Sequence, residues 1–382
     1  MFTTTTYRQQ GKLRGHYGPL YCIATTDDGK FVASGGYDGT RVWNLKDLAQ
    51  ISPRPAPVGI RGATSAIAWT NREDDPGELL FYGTVGGYLV CWRQLAGESG
   101  FHEVYSNRLY KHTEILGLAF DPMSNRLAAS NRAMVQIFAI SSSTEPRSLY
   151  SVAIDHFIPK CLQFSGLPGK QRDLLVFGNH DGKMRVHVFR TLTGSLDVDK
   201  QLECWGVGAC IGDAVVDNRS GTFCVDDPDT GVLIYRLEDR RRMKVLNVPI
   251  EKENRPRQVR FGDDYRAIVV GSDHGIIYVF DRRTGAIIDR LKFEEQDFVQ
   301  AIATVDCDGT ALIFAARSGD AVEQNDIMIW RKAAGRPQSG PTLREDIVNI
   351  LQLIIVLAAV VYVYQNGQMM GGFIELLTRR NE

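Results

Sequence analysis

The sequence lacks an excess of charge of either sign, a leader-like N-terminus and the composition of a disordered chain. Its 44 Lys and Arg residues balance 45 Asp and Glu residues, for a formal net charge of -1. Nucleic acid is therefore not expected as a partner, because phosphate contacts require a basic excess. The first residues, Met1 to Tyr7, contain neither the basic start nor the apolar core of a signal peptide. With 44% hydrophobic and 23% charged residues, the composition excludes a largely disordered chain and a polytopic membrane protein.

The cysteines follow no pattern typical of metal binding or disulfide pairing. There are 7 of them, an odd number, and no two have CxxC spacing. Such a set fits neither a disulfide framework nor a zinc site. We expect reduced, buried thiols in a cytosolic domain that holds no metal and no cofactor.

Signatures of catalysis are missing as well. The sequence contains no GxxxxGK[ST] phosphate loop, no HExxH zinc motif, no GxSxG nucleophile turn and no kinase signature. The pairs His180–Asp181 and Asp273–His274 fall in equivalent hairpin turns, where polar residues are common for structural reasons. We therefore expect no enzyme and no small-molecule substrate.

The sequence is instead rich in glycine and has a regular repeat. Glycine accounts for 37 of 382 residues, above the average of about 7%, which indicates many tight turns. Short β-rich runs end in an aromatic residue at intervals of 45 to 51 residues. These ends are Trp43, Trp92, Phe138, Phe189, Tyr235, Phe280 and Trp330. Such a period predicts one repeat architecture rather than two or three separate domains.

Each repeat consists of short apolar runs separated by Gly/Asp turns. In the first repeat the runs are Leu20–Ala24, Phe31–Gly35 and Thr40–Asn44. Runs of this length and spacing predict strands joined by hairpins. Residues 1–332 show no sustained 3.6-residue apolar period, so helices are not expected there.

The first repeat resembles a WD40 repeat, with Gly15-His16, Asp38 and Trp43-Asn44 at the signature positions. The resemblance covers residues 3–332 and implies an all-β fold, a seven-bladed β-propeller with four strands in each blade. It also implies a structural network of His16, Ser34, Asp38 and Trp43, in which Asp38 holds the imidazole of His16. Because this spacing within one repeat is typical of that network, we interpret the His/Asp/Ser set as structural rather than catalytic.

The two ends of the repeat region predict how the propeller closes. No strand follows Trp330 in the last repeat, and the segment Thr3–Leu13 precedes the first innermost strand without a blade of its own. We expect this segment to form the outer strand of the seventh blade. The pairing would remove an open sheet edge.

One hydrophobic run stands apart near the C-terminus. After a linker at residues 333–346, the 18 residues Ile347–Tyr364 carry no charge. A helix of this length spans about 27 Å, enough for a thin bilayer such as that of the endoplasmic reticulum. We therefore predict a transmembrane helix over 347–364 and a short tail over 365–382. The residues expected to contact the membrane are Ile347, Leu351, Ile354, Leu357, Val361 and Tyr364.

The flanking charges predict the orientation of this run. Four basic residues lie on its linker side and two lie well beyond it, so the positive-inside bias places the propeller in the cytosol. The alternative is a soluble propeller whose C-terminal helix docks on a partner, because Asn349 and Gln352 form a polar pair on one helical face.

Loops on one face of the expected propeller carry aromatic and Arg side chains that we expect to be exposed, and these are the types that dominate protein interfaces. The candidate partner-binding residues are Tyr17, Pro19, Tyr37, Arg61, His112, Arg132, Phe157, Arg255, Arg257, His274 and Phe298. We expect a membrane-anchored scaffold that binds a cytosolic protein or peptide. The alternative is a small-GTPase exchange factor of the Sec12 type, whose layout of propeller and C-terminal span is similar. That type relies on an extended loop in its first blade, where this sequence has the short turn Thr25–Lys30.

Overall fold

A computed structural model describes ten segments of the chain. They are residues 6–53, 59–72, 75–95, 97–141, 145–154, 158–166, 173–178, 183–188, 204–293 and 296–333. The chain divides into two units, Met1–Ala333 and Ala334–Glu382, and the second unit lies outside the described residues. The predicted transmembrane helix, the tail and all of the linker except Ala333 therefore lie outside them too. In the part that is described, no helix is both long enough and apolar enough to cross a membrane.

The described part is built from antiparallel strands, because runs of Val, Ile, Leu and aromatic residues alternate with Gly/Asp turns. The first nine strands are β1 (Tyr7–Tyr17), β2 (Leu20–Thr25), β3 (Phe31–Gly36), β4 (Gly39–Asn44), β5 (Thr64–Arg72), β6 (Asp75–Thr84), β7 (Tyr88–Gln94), β8 (His102–Arg108) and β9 (Gly117–Asp121). The next nine are β10 (Arg126–Ser130), β11 (Met134–Ile140), β12 (Pro146–Ala153), β13 (Pro159–Ser165), β14 (Asp173–Gly178), β15 (Lys183–Val188), β16 (Cys204–Gly206), β17 (Asp213–Asp217) and β18 (Thr222–Asp227). The last nine are β19 (Gly231–Arg236), β20 (Arg242–Leu246), β21 (Val259–Gly262), β22 (Ala267–Val270), β23 (Ile276–Asp281), β24 (Ile287–Lys292), β25 (Val299–Cys307), β26 (Thr310–Arg317) and β27 (Gln324–Lys332). One 3-10 turn, Gly59–Arg61, is the helical element of the described residues.

These strands form sheets arranged around a central axis as in a β-propeller. We number them sheet 1 (β2–β4), sheet 2 (β5–β8), sheet 3 (β9–β12), sheet 4 (β13–β16), sheet 5 (β17–β20), sheet 6 (β21–β24) and sheet 7 (β25–β27 with β1). The first strand of each repeat is innermost, and each innermost strand contacts the next one around the ring, from β2 through to β25 and back to β2. The all-β propeller prediction is therefore confirmed.

The prediction of seven four-stranded blades is wrong, since six complete blades are present among the described residues. Sheets 2 to 7 have four strands each, whereas sheet 1 has three. After β4 the chain forms an isolated bridge between Trp43 and Gln50, and Ile51 donates its N–H to the carbonyl of Val42. Pro53 follows shortly after, and proline has no N–H with which to extend a strand ladder.

The N-terminal strand closes the ring. It pairs antiparallel with β27, giving sheet 7 the order β1-β27-β26-β25, so the predicted closure is confirmed. The strand continues to Tyr17 instead of ending at Leu13. Tyr7 and Leu13 are buried, and the Tyr7 N–H donates to the Asp289 carboxylate at 2.8 Å.

The hydrophobic core lies between neighbouring sheets. Each of the hydrophobic clusters joins two adjacent sheets around the ring. Trp43, for example, packs with Ile23 and Phe314 between sheets 1 and 7. A strand in the middle of a sheet is covered on both faces, so its sequence is a continuous apolar run. An example is β22, Ala267–Val270, which is entirely buried.

Candidate functional site

The strand order gives the propeller two faces. The loops that lead into the innermost strands lie on one face together with the hairpins that join the second and third strands. We call this the top face, and the face with the remaining hairpins the bottom face. All candidate partner-binding residues that the structure describes fall in the top-face loops and strand ends.

His16 is the centre of a buried network at the edge of the top face. Its Nδ1 lies 2.5 Å from Asp38 Oδ1, and its Nε2 lies 2.6 Å from Ser34 Oγ. The ring of Trp43 packs against the imidazole, with centroids 5.5 Å apart. Burial lowers the pKa of His16, so the neutral ring donates from Nδ1 to Asp38 and accepts the Ser34 hydroxyl at Nε2. Because Ser34 is fully buried, it is not placed to attack a substrate.

Asp38 connects this network to the end of β1. Its Oδ2 accepts the Tyr17 N–H at 3.0 Å and the Arg41 guanidinium at 2.7 Å. Burial alone would raise the pKa of the Asp38 carboxyl, but the hydrogen bonds from His16 and Arg41 outweigh it and lower the pKa to about 2. The ionised carboxylate therefore holds Tyr17 in place at neutral pH.

His274 is the centre of a similar hydrogen-bond network in sheet 6. We expected His274 to be exposed, and this expectation is wrong. It is buried, with Nδ1 2.5 Å from Asp273 Oδ1 and Nε2 2.9 Å from the Tyr278 hydroxyl. The other oxygen of Asp273 accepts the N–H groups of Glu251 and Glu253 at 2.8 and 3.0 Å. The Asp273–His274 pair therefore orders the loop that leads into β21.

Arg257 was also expected to be exposed, and this too is wrong. Its guanidinium pairs with Asp226 at 2.9 Å, and both side chains are buried. Its N–H donates to the other oxygen of the same carboxylate at 2.8 Å. Burial raises the pKa of Asp226 to about 7, although the charge of Arg257 opposes this. The pair ties sheet 5 to sheet 6.

Both predicted partner-binding tyrosines, Tyr17 and Tyr37, lie on the top face with Tyr21, which the sequence did not identify as a candidate. Tyr17, Tyr21 and Tyr37 are 54%, 42% and 49% exposed. The ring of Tyr37 packs against Gly18, whose φ of +90° and lack of a side chain allow this approach.

Burial and the neighbouring Asp320 and Tyr37 raise the pKa of Tyr21, which indicates that these groups are close together. The alternation of buried Leu20 and Cys22 around Tyr21 was the signal that could have identified it.

Arg255 and Phe298 form the second half of this surface. The Arg255 guanidinium lies 4.0 Å from the centroid of the Phe298 ring. It also pairs with Asp320 at 3.2 Å. Since sheets 6, 7 and 1 are neighbours, Arg255 and Phe298 lie beside the tyrosines. We call Tyr17, Tyr21, Tyr37, Arg255 and Phe298 together the tyrosine–arginine patch.

The other candidates lie elsewhere. Arg61 forms a two-pronged ion pair with Glu103, both N–O distances being 2.8 Å, in sheet 2. His112 is exposed on sheet 3, as is Arg132, which pairs with a glutamate at 3.6 Å. Pro19 is buried, and its carbonyl accepts the Tyr37 N–H at 2.9 Å. Phe157 lies outside the described residues.

The top face opens into a central channel of about 810 Å³. In several innermost strands a register shift follows the first residue, and such a bulge turns the extra side chain away from the ladder. The bulged residues line the channel; they are Tyr21, Ser65, Lys160 and Gln300. Tyr21 therefore belongs both to the channel wall and to the tyrosine–arginine patch.

Metal binding requires a cluster of ligands, and thiol chemistry requires an ionised cysteine. No cluster of three or more potential metal ligands occurs among them. Burial raises the pKa of the Cys22 thiol to about 12 and raises those of Cys161 and Cys224 as well. These thiols are therefore protonated at neutral pH and poor ligands or nucleophiles.

Comparison with known proteins supports the repeat at the N-terminus. Residues 7–44 match the WD40 family, described as WD domain, G-beta repeat. This WD40 match contains β1, sheet 1 and the whole His16 network. No curated protein matches the chain.

Among solved structures, the crystal structure of Raptor from Chaetomium thermophilum is similar. It has a TM-score of 0.64 at 15% sequence identity, and the match covers 87% of this chain. The matched part is 29% of the Raptor chain, so this protein spans less than a third of that length. The likeness concerns the fold alone.

Proposed function

We propose that this protein is a WD40-type scaffold that binds a protein or peptide partner through the tyrosine–arginine patch. One observation carries the proposal, namely that three half-exposed tyrosines and an Arg–Phe stack lie on the top face, and that one of these tyrosines, Tyr21, also lines the central channel. Tyr and Arg are the residue types most enriched where interfaces gain their energy. The rigid tyrosine side chain also loses little entropy on binding.

The backbone beneath the patch is held in place by hydrogen bonds. Asp38 fixes the N–H of Tyr17, and the carbonyl of Pro19 fixes the N–H of Tyr37. The side chain of Arg255 is held between carboxylates and the Phe298 ring. A surface ordered in advance binds with a smaller entropic penalty, which favours specific recognition of a partner.

We further propose that the run Ile347–Tyr364 tethers this scaffold to a membrane, with the propeller in the cytosol. Support comes from the sequence, since the 18 residues carry no charge and the basic residues are concentrated on the linker side. The length fits a thin bilayer such as that of the endoplasmic reticulum. The run lies outside the described residues.

The exchange-factor alternative has no comparable support. The connection between β2 and β3 is a short hairpin, in which Thr26 donates its N–H to Phe31 and Gly29 donates to Thr26. It therefore offers no counterpart to the extended first-blade loop on which the Sec12 type relies.

Site-specific photo-crosslinking in intact cells tests the scaffold proposal. A photoreactive amino acid would replace Tyr37 in the full chain, and Met123 in a control chain. Met123 is 70% exposed but lies in a hairpin of the bottom face. We expect a discrete protein adduct from position 37 that is lost on adding Arg255→Ala, and no such adduct from position 123. The same adduct from both positions, or none from position 37, would contradict the proposal.

A further inference from the structure

Among the residues that the structure describes, the central channel has one cation, Lys160, that is not neutralised. Lys160 lines the channel near its top-face mouth, at the bulge of β13. The other charged side chains of the wall are paired, in the couples Asp213–Arg260, Arg257–Asp226 and Glu114–Arg132. Within the part of the chain that the structure describes, the Lys160 ammonium has no carboxylate or hydrogen-bond acceptor.

The walls of the channel strengthen the electrostatic field of the Lys160 charge. A cleft with low-dielectric walls focuses the potential of a charge within it. The positive charge of Lys160 also acts on Cys22, in sheet 1. Burial raises the pKa of the Cys22 thiol, and the charges of Lys160 and Arg260 oppose that rise. An anion entering past Tyr21 would therefore meet an attractive potential inside the channel.

We propose that this channel mouth binds the carboxylate of an acidic residue in the partner, with Lys160 as its counter-ion. The inference rests on the proposed function and names the chemistry that the top face recognises. A channel of about 810 Å³ accommodates several side chains of a peptide segment. A single unpaired ammonium matches one carboxylate, whereas a nucleic acid would require a row of cations.

The geometry also suggests how such a segment lies. Its backbone crosses the tyrosine–arginine patch, and the acidic side chain points past Tyr21 into the channel. The tyrosine rings supply apolar contact area, and Lys160 supplies selectivity for charge. A basic side chain at the same position would face Lys160 with no carboxylate left to neutralise it.

A selected peptide serves as the probe, because the natural partner is not identified. Random twelve-residue peptides displayed on phage would be selected against the full chain in detergent micelles, and one binder would be synthesised with a fluorescent label. We expect the binders to share an acidic residue. Replacing that residue by its amide should weaken binding, measured by fluorescence anisotropy, by about tenfold or more.

Variants of the chain locate the contact. Lys160→Gln should cause the same loss, and combining it with the amide peptide should cause little further loss, since both changes remove one interaction. Lys160→Arg keeps the charge and should retain binding, which also controls for folding. Lys292→Gln removes an exposed lysine from the outermost strand of sheet 6 and should leave the affinity unchanged.

The two proposals can fail separately. Binders that depend on Tyr37 but carry no acidic residue, or that ignore Lys160→Gln, overturn the channel inference and leave the scaffold proposal standing. Binders that ignore both Tyr37→Ala and Lys160→Gln contradict both proposals. A selection that yields no binder contradicts both as well.

Discussion

Carboxylates on the top face hold loops through backbone N–H groups, and this is the main task of the polar residues buried there. Asp38 binds the N–H of Tyr17, and Asp273 binds those of Glu251 and Glu253. In each case a histidine donates to the other carboxylate oxygen. Asp38 thereby holds the end of β1, and Asp273 holds a loop in which the N–H groups are partly buried, where an N–H left without an acceptor costs about 1–3 kcal/mol.

Replacement of Asp38 by Asn tests this role. The pKa of Asp38 lies at about 2, below the ordinary value of 3.8, so its ionised form stabilises the fold. This contribution is fully present above about pH 4 and is lost as the pH falls towards 2. We expect Asp38→Asn to lower the free energy of unfolding by about 1–2 kcal/mol at pH 7, with a smaller difference from wild type below pH 4.

Urea unfolding curves at several pH values measure this difference. Asp308→Asn, in an exposed hairpin, is the matched control and should change the unfolding free energy little at any pH. An Asp38→Asn difference that stays constant down to pH 2 would contradict the assignment of a stabilising, ionised Asp38.

Gly271 illustrates a second constraint at the scale of single residues. A Cβ atom there would overlap the backbone carbonyl oxygen of Val299 in the neighbouring sheet. Gly271→Ala should therefore lower the unfolding free energy by about 3 kcal/mol, because the clash is with backbone that cannot rotate away. Gly206→Ala, where a Cβ meets no atom within 4 Å, is the control. Equal midpoints of thermal unfolding for the two variants would refute the explanation.

The sequence predicts single residues well where their partners lie in the same repeat. The His16 network joins the end of β1 to the hairpin of β3 and β4 within one sequence repeat, so its spacing in the sequence is enough to bring His16, Ser34 and Asp38 together. Arg257 and His274 were misjudged because their burial depends on acids and loops of the three-dimensional fold. Tyr21 was missed because its alternation with Leu20 and Cys22 indicates only that its side chain faces away from the core, whereas the bulge in β2 places that side chain at the channel.

Among the secondary-structure elements, the closing strand β1 has the largest expected effect on stability. It supplies the buried side chains of Tyr7 and Leu13 to two different hydrophobic clusters. The pairing was predictable because the last repeat lacks a strand after Trp330. The reduced sheet 1 was not predictable, because the repeat period continues unchanged through the segment that forms only a bridge at Gln50.

Deletion of residues 1–17 removes β1 and tests its role. We expect the unfolding free energy to fall by more than about 4 kcal/mol, because burying each of two large side chains contributes about 2–4 kcal/mol. The exposed edge of β27 should also promote association between chains. Urea unfolding and light scattering measure the two effects. Deletion of residues 1–5, which precede the strand, should produce neither, and a stable monomer lacking residues 1–17 would show that β1 is dispensable.

At the scale of the whole molecule, the propeller buries its hydrophobic residues between adjacent sheets and offers rigid loops on its top face. The period of aromatic strand ends predicted a repeat architecture, because every repeat must pack its apolar faces against its neighbours, and the resemblance to WD40 repeats implied a propeller. The C-terminal run is a separate case. Ile347–Tyr364 carries no charge over 18 residues, and on that ground we propose a lipid environment for it.

Membrane extraction tests that environment. The full chain should remain in the membrane pellet after a carbonate wash, and a chain that ends before Ile347 should be soluble. Leu357→Arg places a charge in the middle of the run, where it costs about 2.5–3.5 kcal/mol, and should shift part of the protein to the supernatant. Arg379→Gln alters the tail outside the run and should leave the chain in the pellet. Release of the full chain by carbonate is the result expected if the helix docks on a protein partner instead, and it would refute the membrane tether while leaving the top-face scaffold intact.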